Sequence, residues 1–201
     1  ILWYLRVIFP LVASIVQSLV RVGKVVGIII QRQNAVYTYK TILLKAITLQ
    51  RELQSNFQFS FTNDQNEVVE SIVDFTTSIS TRSIFLLKGY AGTGKTSLIA
   101  ALVKSLPAVG TRSVLLAPTG RAAKVISKYS KKQASTIHRK IYWIKSRKNG
   151  NTYIKLKDNT HSNTLFIVDE ASMIPEATDS SFGNRSLLDD LVKYVYDGIG
   201  C

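Results

Sequence analysis

One stretch constrains this chain more than any other. The apolar run Ser83-Ile84-Phe85-Leu86-Leu87 passes through Lys88 into Gly89-Tyr90-Ala91-Gly92-Thr93-Gly94-Lys95-Thr96. Ser97–Leu106 follows, closed by Pro107, with the composition of a helix. A short apolar run bounded by glycine reads as a buried strand, so the order is strand, glycine-rich turn, helix. In that order the glycines let successive backbone N–H groups turn inward, and the helix adds the positive end of its dipole, which makes a seat for an anion. Three glycines, then Lys, then Thr is the complete phosphate-loop pattern, in the structural context the pattern requires. Gly89, Gly92, Thr93 and Gly94 are expected to wrap the phosphates, Lys95 to reach them, and Thr96 to ligate Mg²⁺.

Further elements follow the same logic. Thr62 and Gln65 stand at capping-box spacing ahead of Val68, Val69, Ile72 and Val73, which predicts a capped amphipathic helix. Ser113–Ala117 and Thr164–Asp169 read as strands, Arg121–Lys128 as a helix, and Ser186–Tyr196 as a final amphipathic helix. Strands alternating with helices predict an α/β fold, a mostly parallel RecA-like sheet of the phosphate-loop NTPase type with helices on both faces. Thr164-Leu165-Phe166-Ile167-Val168 delivers Asp169 and Glu170 to a strand end. A phosphate loop needs such a carboxylate to hold its metal, so Asp169 is the expected Mg²⁺ ligand and Glu170 the group that orients or deprotonates water.

Charge points to a second anionic partner. The formal net charge is +13, and residues 75–157 hold 17 Lys and Arg with no Asp or Glu. A solvated helix face ordinarily mixes signs, so a long acid-free span suggests a surface suited to meeting phosphate. A single Cys, Cys201, excludes an internal disulfide and a cysteine-based zinc site, which suits a cytoplasmic chain. The only Met is Met173, and the chain is expected to be a piece open at both ends.

GYAGTGKT, Ala117-Pro118-Thr119-Gly120-Arg121-Ala122-Ala123-Lys124, Ser135-Thr136-Ile137-His138-Arg139 and Val168-Asp169-Glu170-Ala171-Ser172-Met173 occur in that order. Together these motifs resemble the RecD-like branch of superfamily 1 DNA helicases, which includes the Dda-type enzymes, over about residues 57–201. The resemblance implies an ATP-dependent motor that moves on single-stranded DNA and opens duplex at a fork. It implies that Gln65 reads adenine, though the same side chain is also wanted by the capping box. It implies that Pro118, Thr119, Arg121, Thr136 and His138 contact the DNA strand. Such helicases need a second motor domain, whose arginine completes the ATP site; the family's next strand and that whole domain are not in this sequence.

Residues 141–157 read as a hairpin about Asn149-Gly150. A two-residue turn there would pair Lys145 with Ile154 and Trp143 with Leu156. By the resemblance this hairpin is the pin at the fork, with Tyr142, Trp143 and Tyr153 stacking on bases and Lys145 near the backbone; the alternative is a hairpin whose aromatics pack on the core. Residues 1–56 form an apolar and basic preface, expected to be a packed helical segment or a non-native flank. Its apolar run from 7 to 20 carries Pro10 and is shorter than the roughly 20 residues a membrane span needs, so no membrane partner is expected. Two competing readings stay open: a phosphate-loop kinase or regulatory ATPase without a nucleic-acid partner, and a DNA-binding fragment without nucleotide affinity.

Overall fold

The computed structural model describes residues 3–5, 25–31, 39–78, 82–146, 152–175 and 186–197, with backbone alone at 3–5, 25–31, 39–40, 144–146 and 152–153. Six strands form one sheet: β1 (Trp3–Leu5), β2 (Val25–Gln31), β3 (Ser83–Lys88), β4 (Arg112–Ala117), β5 (Ala134–Thr136) and β8 (Thr164–Asp169), in the order β1-β3-β2-β8-β4-β5. β8, β4 and β5 are parallel, and β2 is antiparallel to both β3 and β8. The strands expected from the sequence therefore all point the same way, and the preface supplies the strand between them.

That corrects the expected helical preface in part: Tyr39–Asn56 is a packed helix as expected, whereas Trp3–Leu5 and Val25–Gln31 are strands. Val25, Val26, Ile28, Ile29 and Ile30 are β-branched, which stiffens χ1 and favours a strand between two apolar neighbours. The apolar run from 7 to 20 lies outside the described residues. Among those that are described, no helix is long and apolar enough to cross a membrane.

Alternation along each strand divides the core in two. Phe85 and Leu87 of β3, Leu115 of β4, and Leu165 and Ile167 of β8 meet one set of helices. These are α1 (Tyr39–Asn56), α2 (Asn63–Thr77), α3 (Lys95–Ser105) and α4 (Gly120–Ser130). On the other face Ile84, Leu86, Leu116, Phe166 and Val168 meet α5 (Ile137–Ile141) and α6 (Leu187–Tyr196). The hairpin strands β6 (Tyr142–Ser146) and β7 (Thr152–Leu156) extend from this second layer. Packing is continuous across residue 56: Leu49 and Leu53 of α1 are fully buried beside Val69, Ile72 and Leu102.

The caps agree with the sequence. The Thr62 hydroxyl accepts from the Gln65 amide at 3.3 Å while the Gln65 carboxamide oxygen accepts from the Thr62 amide at 3.1 Å. Ser186 caps α6 through the Asp189 amide at 3.0 Å. That helix is fastened to β3 by the buried Tyr196 hydroxyl, which donates to the Ser83 carbonyl at 2.8 Å.

Candidate nucleotide and strand site

All the strand-end motifs emerge along one edge of the sheet. Because β3, β4, β5 and β8 run in the same direction, the loop after β3, the segment Pro118–Thr119 after β4, Thr136 at the end of β5 and Asp169 at the end of β8 share that edge. Open α/β sheets place ligands at this carboxyl edge for the same topological reason.

The loop is built by backbone conformation. Gly92 and Gly94 adopt φ of 81° and 82°, a region that only glycine enters without strain. At Gly89 a Cβ would come within 2.9 Å of the Thr93 hydroxyl, so a side chain there would displace the hydroxyl that accepts from Lys95. Lys95 opens α3, and its ammonium donates to the Tyr90 carbonyl and, at 3.2 Å, to the Thr93 hydroxyl. The lysine thus lies along the loop it is expected to serve. Burial lowers its pKa, against an opposing pull from the Glu170 and Asp169 carboxylates. Thr96, in the first turn of α3, is half-buried.

Opposite the loop, Asp169 is only 3 % exposed and its pKa rises to about 6, chiefly from burial. Its oxygen accepts from the Glu170 amide at 3.1 Å, and Glu170 itself sits in the left-handed region at φ 54°. A buried carboxylate whose charge reaches Lys95 at the head of the phosphate-loop helix fits Mg²⁺, which takes one or two carboxylates and completes its shell with phosphates and water. Among the described residues no cluster of three or more His, Cys, Asp or Glu could hold a metal without such help.

Gln65 reaches this site as well. While its oxygen serves the cap, its amide nitrogen donates to the Thr93 carbonyl at 3.1 Å and lies 3.0 Å from where a Cβ on Gly94 would be. The side chain ties the start of α2 to the loop.

On the strand side, Thr119 caps α4 by accepting from the Ala122 amide at 3.2 Å, and Thr136 caps α5 by accepting from Arg139 at 3.3 Å. Both hydroxyls hold helix N-termini at the sheet edge, with Pro118 half-buried and Arg121 exposed beside them. The His138 ring lies 6.0 Å from that of Tyr142.

The hairpin departs from expectation in two respects. Its register pairs Trp143 with Lys155, Ile144 with Ile154 and Lys145 with Tyr153, one residue away from the pairing that a two-residue turn at Asn149-Gly150 would impose. The connection therefore takes five residues, 147–151, which lie outside the described residues, as do the side chains of Lys145 and Tyr153. Tyr142 is also corrected: it is 4 % exposed in the second core layer, and its hydroxyl donates to buried Asp190 of α6 at 2.8 Å. A side chain so enclosed does not stack on a base. Trp143 does face outward at 57 % exposure, with the Lys157 ammonium 4.8 Å from its ring centroid. Lys157 also donates to the Arg139 carbonyl at 2.7 Å, which ties the end of the hairpin to α5. Sequence reading missed Asp190, although it left a signal. In Leu187-Leu188-Asp189-Asp190-Leu191 one aspartate falls on the apolar stripe of the helix, three residues from Leu187 and four from Tyr194.

A phosphate loop between a buried strand and a helix, faced by a strand-end aspartate, defines a phosphate-loop NTPase domain of the α/β class. The family described as AAA domain matches residues 60–182, and the chain belongs to it. Over 53 residues it is 49 % identical to the ATP-dependent DNA helicase Dda of enterobacteria phage T4; that stretch is 26 % of this chain and 12 % of the relative. The resemblance to RecD-like, Dda-type helicases read from the motifs agrees with both findings. No solved structure matches the chain.

Proposed function

We propose that this domain is the first motor domain of an ATP-dependent DNA helicase, binding ATP·Mg²⁺ at the phosphate loop and single-stranded DNA along the adjoining basic surface. The observation that carries the reading is the shared sheet edge. Lys95 lies within the field of Asp169 and Glu170, and Pro118, Thr119 and Thr136 stand on neighbouring strand ends. Nucleotide turnover and strand contact can then act on one rigid element.

In this reading the backbone N–H groups of Gly92–Thr96 and the head of α3 receive the phosphates. The Lys95 ammonium exchanges the Tyr90 carbonyl and Thr93 hydroxyl for phosphate oxygens. Thr96 and Asp169 would hold Mg²⁺, which when bound neutralises charge that develops on the phosphates. Glu170, fixed by its left-handed backbone, orients the attacking water and takes its proton. Gln65 has one lone pair and one N–H left after the cap and the Thr93 contact, enough to read the donor and acceptor edge of adenine without giving up either. Pro118, Thr119, Arg121, Thr136 and His138 would meet the strand, and the hairpin would stand at the fork with Trp143 as its exposed aromatic. A second motor domain of the full-length protein supplies the remaining charge for turnover, and unwinding belongs to the two domains together.

Fluorescence titration of the full chain with a labelled ATP analogue and with oligo-dT tests this. We expect both to bind, and Lys95→Ala to weaken the nucleotide by roughly 10- to 150-fold, the worth of a charged hydrogen bond, with oligo-dT affinity kept. Absent nucleotide binding would leave only a DNA-binding fragment; absent oligo-dT binding at low salt would favour a kinase or regulatory ATPase.

A further inference from the structure

Helix α4 carries a pattern that the nucleotide site does not use. At about 100° per residue, Arg121, Lys124 and Lys128 fall within an arc of roughly 60°, and Val125 and Tyr129 lie beside that ridge. The opposite side, Ala123, Ile126 and Ser130, is the buried one. Arg121, Lys124 and Lys128 are all exposed, as are Val125 at 46 % and Tyr129 at 58 %. Among the described residues no hydrogen bond or ion pair engages the three cationic head groups.

For a merely solvated helix face this is a poor arrangement. Like charges three and four residues apart repel, and helices ordinarily relieve this by interleaving acids. Here none is available in the helix or anywhere in residues 75–157. The ridge instead suits a polyanion. It runs about 10 Å along the helix from Arg121 to Lys128, and the exposed tyrosine alongside offers a stacking surface of the kind single-strand binders use. It starts where Thr119 caps the helix at the sheet edge, so it continues the proposed strand contact.

We infer that the outer face of α4, through Lys124, Lys128 and Tyr129, is a second track for single-stranded DNA, leading away from the sheet edge along the helix. The inference rests on the strand-binding reading above and extends it to residues outside the four motifs. Phosphates lie along the ridge and a base rests on Tyr129.

The test is the salt dependence of oligo-dT affinity, measured on the full chain, on the double variant Lys124→Ala/Lys128→Ala, on Tyr129→Ala and on Lys104→Ala as a charge control from α3. All four side chains are exposed, so folding, checked by thermal melt, and ATP-analogue binding should be retained. Each phosphate contact in a single strand contributes about 0.7 to the slope of log K against log salt, so the double variant should lose about 1.4. Lys104→Ala should lose nothing. Tyr129→Ala should weaken binding by about 5-fold or more without altering the slope. An unchanged slope in the double variant, or an equal loss per charge in Lys104→Ala, overturns the track while leaving the motor reading intact. Weakened binding to duplex alone, with oligo-dT unaffected, overturns it too. If the unaltered chain binds no oligo-dT, both readings fall together.

Discussion

The nucleotide edge and the basic surface are built from different materials. The phosphate loop is shaped by its backbone, with two left-handed glycines at the head of a helix, and faces one buried carboxylate. Across α4 and at Trp143 the proposed strand contact would instead rest on exposed side-chain tips. The first kind of site is intolerant of substitution at fixed spacings. The second would tolerate exchange of any one lysine, because its affinity would be a sum of similar small terms that salt can screen.

The two surfaces share a core, so the strongest way to break the contrast is from beneath. Phe166 is fully buried on β8, edge-on to His161 and Tyr194. Phe166→Ala should cost about 3–5 kcal/mol of stability in urea melts, and nucleotide and strand binding should fail along one denaturation curve. Separate curves would mean that the two surfaces sit on independently stable units. A smaller effect comes from the neighbouring pair at the root of the hairpin. Tyr142→Phe removes a buried hydrogen bond to Asp190 and should lower stability by about 1–3 kcal/mol while leaving oligo-dT affinity intact. Trp143→Ala should do the reverse, weakening the strand by about 1–3 kcal/mol with the melt unmoved. If both variants acted on the melt alone, the hairpin would be packing rather than contact.

The smallest effect is one of pH. Asp169 is raised from the ordinary carboxylate value to about 6 by burial, so the folded chain holds that proton more tightly than the unfolded one. Its contribution to stability is present below about pH 4 and is lost as the pH rises through about 6. At the proposed site Mg²⁺ would compete for the same oxygens, so its effect would run the other way. Mg-dependent nucleotide affinity should fall about tenfold from pH 7 to pH 5, whereas oligo-dT affinity should not track this titration. A flat nucleotide profile would remove Asp169 from the metal site.

Much of the nucleotide edge was legible because its chemistry demands particular residues at particular spacings. Ser83–Lys88, Lys95–Ser105 and Thr164–Asp169 appear as elements within a residue or two of the sequence reading, and the Thr62–Gln65 capping box is present. The hairpin was legible as a hairpin but not in register. Asn149-Gly150 is a strong local signal, yet the pairing is decided by burial of Tyr142, Ile154 and Leu156 against the second core layer, and this shifts it by one residue. Tyr142 and Trp143 were both expected to stack, but neighbours on a strand face opposite sides, and the buried side is that of Tyr142. The preface was illegible for a different reason. An apolar run such as Val25–Ile30 does not reveal whether it will be helix or strand, and its partners lie far along the chain.

The strand Val25–Gln31 has a consequence in time as well as space. Ile29 pairs with Phe85 on one side and with Ile167 on the other, so the strands that lead to the phosphate loop and to Asp169 are joined only through a segment made long before either of them. Each of those pairings closes a long loop before it gains any contact energy, which places this half of the sheet among the slow, non-local steps of folding. During synthesis the early strand would wait, apolar on both faces, until β8 arrives. The nucleotide edge would then be the last part of the sheet to assemble, after the helices over the first core layer.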